Sequence, residues 1–254
     1  MSPTASDRGW HAAGAAVGSG WACFRGRTGD NDAHAHHAIQ LAVGLSAPVA
    51  AEVDGRTWRG PGLLIDTGVR HRLLPSTGDA ELIYLDPEHA LGPALCASLN
   101  GPVTILREPV ARRLASASGG CGENLIERLS AALALRPPTH HHPDERIAAV
   151  LRWIDDNPGL ALSAPEAARL SRLSTAQFSR RFRRQVGLPL RPYLRWRRLL
   201  LAIASVASGT NLTRAAADAG FSDSAHLSRT VRRHFGIPAR TLLALGLHGA
   251  AQQD

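Results

Sequence analysis

Two stretches of this chain place small residues and arginines in the same order. STAQFSRRFRRQVGLP at 174–189 aligns without a gap with DSAHLSRTVRRHFGIP at 223–238, an offset of 49 residues. In a helix, Ala176, Ser179, Arg180 and Arg183 stand at i, i+3, i+4 and i+7 and share one face. Ala225, Ser228, Arg229 and Arg232 repeat that set, and Arg184 and Arg233 extend each basic end. Small residues let a helix approach base edges closely. An Arg fork can then reach O6 and N7 of guanine with two hydrogen bonds, or a phosphate. One such face alone reads as a solvated charged surface; two matched faces point to a polyanion.

The elements that must hold these faces are written beside them. Phe178 and Phe182, or Leu227 and Val231, lie four apart on the opposite side and form a core. Ser163-Ala-Pro-Glu166 is a capping box that opens a short helix to Leu170. Ser174 caps a helix to Val186, stopped at Gly187. A long helix runs from Pro189 to about Val206, a short one from Asn211 to Ala219, and Asp223 caps another to Phe235, stopped at Gly236. Asp144–Asp156 is an amphipathic helix through Ile147, Val150, Leu151 and Ile154. Each repeat is therefore a short helix, a tight turn and a capped helix, a helix-turn-helix. A connector of about 18 residues spans ~27 Å. With the width of the packed units, it lets two such helices enter major-groove segments one turn, ~34 Å, apart.

Charge agrees with this division. All 29 basic residues of the 254 are Arg, and the net charge is +8. Residues 1–143 carry 12 Arg against 13 acids, whereas residues 144–254 carry 17 against 8. Between Glu166 and Asp218 there are eleven Arg and no acid. Such segregation suits nucleic acid. No run of 18 apolar residues suggests a membrane span, and Met1–Trp10 lacks the pattern of a secretory signal. Cys23, Cys96 and Cys121 are odd in number and widely spaced, as ordinary thiols in a reducing cytoplasm would be.

The Pro- and His-rich run 136–143 reads as a linker; its adjacent histidines do not form a preset tetrahedral site. Before it, residues 20–86 read as short strands, with Asp54-Gly55 marking a hairpin. Residues 88–98, 109–117 and 123–135 turn helical. The stripe Leu125, Ile126, Leu129, Ala132 and Leu133 either packs on the strands or pairs with a second copy.

Residues 144–245 resemble the DNA-binding domain of the AraC/XylS family of bacterial transcription regulators. The resemblance rests on LSRLSTAQFSRRFRRQVGLPLRPYLRWRRLLLA at 170–202 and AADAGFSDSAHLSRTVRRHFGIPARTL at 216–242. It implies two helix-turn-helix units, at about 163–187 and 212–236, that read double-stranded promoter DNA. Its base-reaching positions fall on Ala176, Ser179 and Arg180, then Ala225, His226 and Arg229. Leu227 and Val231 stand where the family usually has Phe, which leaves the second core apolar but less bulky.

The N-terminal segment resembles the two-motif cupin pattern through His34, His36 and Gln40, then GPGLLIDTGVRH ending at His71. Gln40 replaces the usual carboxylate and Asp66 the usual proline. The resemblance implies a small barrel that senses a small-molecule effector, with His34, His36, Gln40 and His71 lining the site. The three histidines suit a divalent metal, Zn or Fe, although Gln is a weak neutral ligand.

The expected fold class is therefore α+β in two domains. Residues 1–136 form a cupin-like barrel followed by helices, with 123–135 a candidate dimerisation helix. Residues 137–143 form a linker, 144–245 an all-α double helix-turn-helix domain, and 246–254 a tail. The expected function is sequence-specific transcription regulation, as activator or repressor, in the cytoplasm. The expected partners are promoter DNA, an effector, RNA polymerase and a second copy of the chain, with no membrane. No P-loop, nucleophile elbow or dinucleotide fingerprint argues for an enzyme. The alternative is a metal-dependent cupin enzyme with a helical DNA-binding appendage.

Overall fold

A computed structural model describes residues 9–18, 20–116, 124–135, 144–244 and 248–249. Cys121, the predicted linker and most of the predicted tail lie outside the described residues. Two compact units result. One comprises Met1–Pro137 with Ser228–Asp254, the other Pro138–Leu227. The boundary thus falls inside a helix that the repeat assigns wholly to the C-terminal domain.

The first unit contains β1 (His11–Gly18), β2 (Trp21–Arg27), β3 (Ile39–Gly44), β4 (Val49–Val53), β5 (Arg56–Gly60), β6 (Gly62–Ile65), β7 (His71–Leu73) and β8 (Asp79–Leu85). After these come α1 (Gly92–Ala97), β9 (Val103–Ile105), α2 (Glu108–Ala115) and α3 (Leu125–Leu133). A seven-stranded sheet has the order β10-β1-β2-β8-β3-β6-β9, where β10 is His248–Gly249, and a three-stranded sheet the order β5-β4-β7. The barrel expected from the strand series is thus two sheets and not one closed ring. All pairings are antiparallel except β1 with β10. The predicted hairpin is present: Asp54 (φ 48°) and Gly55 (φ 74°) both take left-handed conformations, and Val53 pairs with Arg56.

Strand alternation decides what faces what. Ile39, Leu41 and Val43 of β3, Leu64 of β6 and Ile83 and Leu85 of β8 share a core with Leu91, Leu95, Leu114, Leu125, Leu129 and Ala132 from the helical segments. Leu125, Leu129 and Ala132 of the α3 stripe are therefore buried inside this unit, Leu129 fully. Ile126 and Leu133 of the stripe stay half-buried at its edge. Buried Glu81 fixes α3 further, because Arg128 Nη2 donates to its Oε2 at 2.6 Å and Arg25 Nη2 to its Oε1 at 3.4 Å. Gln40 and Tyr84, paired across β3 and β8, point to the opposite side of the sheet.

The second unit is helical: α4 (Glu145–Asp156), α5 (Ala164–Leu170), α6 (Thr175–Val186), α7 (Leu190–Ala207) and α8 (Leu212–Asp218). The first turn of α9 (Ser224–Phe235) belongs to it, and α10 (Ala239–Ala244) follows in the first unit. Ile147, Val150, Ile154, Phe178, Phe182, Val186 and Tyr193 form its core. Ala167 and Ala168 let α5 and α6 approach closely. Asp144 caps α4 by accepting from Arg146 N–H, and it holds Arg181 of α6 at 2.7 Å.

Candidate nucleic-acid interface and histidine cluster

The helix-turn-helix elements follow from local chemistry. Ser163 and Glu166 form a reciprocal capping box at α5, and Ser174 and Gln177 form another at α6. Between them Arg172 adopts φ 51°, which lets Leu173 N–H return to Ala168 O at 2.9 Å. Gly187, at φ 80°, ends α6. In the second unit of the repeat, Asn211 caps α8 through Arg214 N–H at 2.9 Å, and Asp223 caps α9 through His226 N–H at 2.6 Å.

Phe178, Phe182, Leu227 and Val231 are buried, as the spacing requires. Ala176, Ser179, Arg180, Arg183 and Arg184 are exposed on α6. Ala225, Arg229, Arg232 and Arg233 are exposed on α9, while His226 and Ser228 are half-buried. His226 stacks edge-on against Phe221, with centroids 5.2 Å apart, and its Nδ1 lies 3.2 Å from Ser222 Oγ. The first helix therefore presents a clear small-then-basic face. On the second, one member is already engaged: Arg232 Nε donates to Asp32 Oδ2 at 2.6 Å. Sequence reasoning missed Asp32, because its partner lies 200 residues away and no local pattern links them.

The other predicted residues converge behind the large sheet. His34, His36, Gln40 and His71 are all buried. Two backbone hydrogen bonds of 2.9 Å, His34 N–H to His71 O and the reverse, join the loop to β7. Each imidazole Nδ1 faces a backbone carbonyl: His34 that of Asp32 at 2.9 Å, His36 that of Ala38 at 2.8 Å, and His71 that of Val69 at 2.9 Å. A carbonyl only accepts, so Nδ1 carries the proton and Nε2 the lone pair in all three. Burial holds the histidines below their ordinary range, His34 down to about 3, and neighbouring imidazole charge adds to the shift at His34 and His36. Near neutral pH they are neutral donors.

One ligand atom from each histidine lies within 4.8 Å of the others. Gln40 Oε1 sits 2.9 Å from His36 Nε2 and 2.8 Å from His71 Nε2, and His34 Nε2 is buried without a hydrogen-bond partner. Lone pairs thus face a carbonyl oxygen with no proton between them. Two arrangements relieve this: the amide turns its NH2 toward both imidazoles, or a cation sits among them. Nδ1 bonded to a carbonyl and Nε2 aimed inward is the outer arrangement that metal-binding histidines use. The residues therefore fit a divalent metal.

Residues 167–244 match the helix-turn-helix domain family. The whole chain is similar in fold to ToxT from Vibrio cholerae. One ToxT structure has a TM-score of 0.59 at 9% identity over 90% of this chain and 98% of that one. The apo form of a ToxT variant from strain SCE256 has a TM-score of 0.61 at 8% identity over the same shares. A search of curated proteins found no match. Capped, paired helices with exposed basic faces mark a DNA-binding protein. Residues 167–244 are thus a helix-turn-helix domain, and the chain shares the fold of ToxT.

Proposed function

We propose that this chain is a transcription regulator of the AraC/XylS type that binds an asymmetric promoter site through α6 and α9, and that a ligand of the N-terminal unit governs that binding. The observation that carries the reading is the twin arrangement of small residues and Arg on two capped helices. Arg180 and Arg229 reach base edges; Arg184 and Arg233 meet phosphate. ToxT, of the same fold, has been crystallised bound to (E)-4-(8-methylnaphthalen-1-yl)but-3-enoic acid, which supports a small-molecule effector here. The finer reading of the histidine cluster is a site for a divalent cation, Zn or Fe. The chain works in the cytoplasm as a regulator and not as a catalyst, with RNA polymerase and a second copy as further partners. No helix among the described residues is long and apolar enough to cross a membrane.

Selection of bound duplexes from a random pool by the purified full chain tests this reading. A recovered sequence motif supports it. Recovery of duplexes without any shared motif overturns it.

A further inference from the structure

The end of α9 lies against the histidine cluster, within the compact unit that Ser228–Asp254 shares with the N-terminal strands. Asp32 N–H donates to Gly236 O at 2.8 Å, beside the Arg232–Asp32 pair. The Phe235 ring centroid is 6.3 Å from that of His36 and 5.6 Å from that of Tyr84. A Cβ on Gly236 would collide with Asp32 O and stand 2.7 Å from His34 Nδ1. Gly187, its counterpart in the repeat, has the same left-handed backbone (φ 80° against 70°) and open space where a Cβ would go. Helix termination alone explains Gly187. Gly236 serves a close approach as well.

We propose that a divalent cation held by Nε2 of His34, His36 and His71 loosens the end of α9 and frees Arg232 for DNA. This rests on the reading of the cluster as a cation site. Zinc takes imidazole nitrogens at about 2.0–2.1 Å, so a tetrahedral site needs them roughly 3.4 Å from one another. The ligand atoms lie within 4.8 Å of one another, and coordination fixes them at the shorter spacing. His34 is the surface on which Gly236 rests, so its movement disturbs the Asp32–Gly236 contact. The added positive charge also repels the guanidinium held two residues from His34. Both effects weaken the Arg232–Asp32 pair. Its side chains are 61% and 55% exposed, so releasing the pair changes affinity by roughly fivefold at most. The device tunes DNA binding and does not switch it fully.

The test adds zinc chloride to the full chain and counts bound Zn2+ by competition with a chromophoric chelator. Affinity for the selected duplex is read by fluorescence anisotropy. We expect one Zn2+ per chain and an affinity gain of about two- to fivefold. Asp32→Asn gives that gain without Zn2+ and no more with it. Gly236→Ala does the same, whereas Gly187→Ala, with the same backbone cost, does not. His71→Gln loses both Zn2+ binding and the response. Stoichiometric Zn2+ with unchanged affinity overturns the coupling and leaves the cation site standing. Absence of stoichiometric Zn2+ overturns the site and the coupling together. Asp32→Asn indistinguishable from the unmodified chain overturns the hold on Arg232.

Discussion

Arg232 and Arg183 occupy the same place in the two repeats, yet only Arg232 is spoken for. Its Nε donates to Asp32 at 2.6 Å, whereas Arg183 is exposed, and no ion pair among the described residues engages its side chain. The two should therefore differ in DNA binding when no cation is added. Arg183→Ala should cost the larger share of affinity and Arg232→Ala the smaller, by up to roughly fivefold. Titration of both variants against the same duplex checks the order.

Salt should separate phosphate contacts from base contacts. Each neutralised phosphate adds about 0.9 to the slope of log affinity against log salt. Arg184→Ala and Arg233→Ala should each reduce the slope by roughly 1 and weaken all duplexes alike. Affinities measured at several salt concentrations give the slopes. Both side chains also sit in the last turn of their helices, where a positive charge complements the helix dipole, so thermal melts should fall slightly too.

Leu129 reports on the N-terminal core. Leu129→Ala should destabilise the first unit by about 2–5 kcal/mol, because the side chain is fully buried beneath the sheet. Denaturant unfolding measures this, and sedimentation run in parallel should show that any loss of mass follows unfolding.

Acid should act on the second unit through Asp144. Its hydrogen bond with Arg181 holds its carboxyl below the ordinary value of 3.8. A depressed carboxylate stabilises the fold at pH values above its unfolded value, and that contribution is lost as pH falls through the folded one. Asp144→Asn, which keeps the cap, should lose up to about 1 kcal/mol at neutral pH. Asp144→Ala should lose about 1 kcal/mol more with the cap. The gap between Asp144→Asn and the unmodified chain should close as pH falls through the depressed folded value, below 3.8, as unfolding curves across pH would show.

What could be read from the sequence was what local chemistry decides. Ser163 with Glu166, Ser174 with Gln177, and Asp223 before α9 announce their helices within four residues, and Gly187 and Gly236 announce their ends. The Asp54-Gly55 hairpin is equally local. β1 was not legible, because HAAGAAVG is rich in Ala and Gly and carries little of the β-branched signal that marks a strand. β9 has only three residues. The cluster of His34, His36, Gln40 and His71 was legible only through a family resemblance, since 31 residues separate its last two members. The pairing of Asp32 with Arg232 had no sequence signal, because tertiary folding alone brings them together.

Two Arg-bearing helices read DNA sequence on this proposal. Binding isotherms of the full chain, Arg180→Ala and Arg229→Ala on the selected duplex and on a scrambled one decide it. Each substitution should cost about 1–3 kcal/mol on the selected duplex and clearly less on the scrambled one. Equal losses on both duplexes, or no loss on either, would mean that these arginines do not read base sequence.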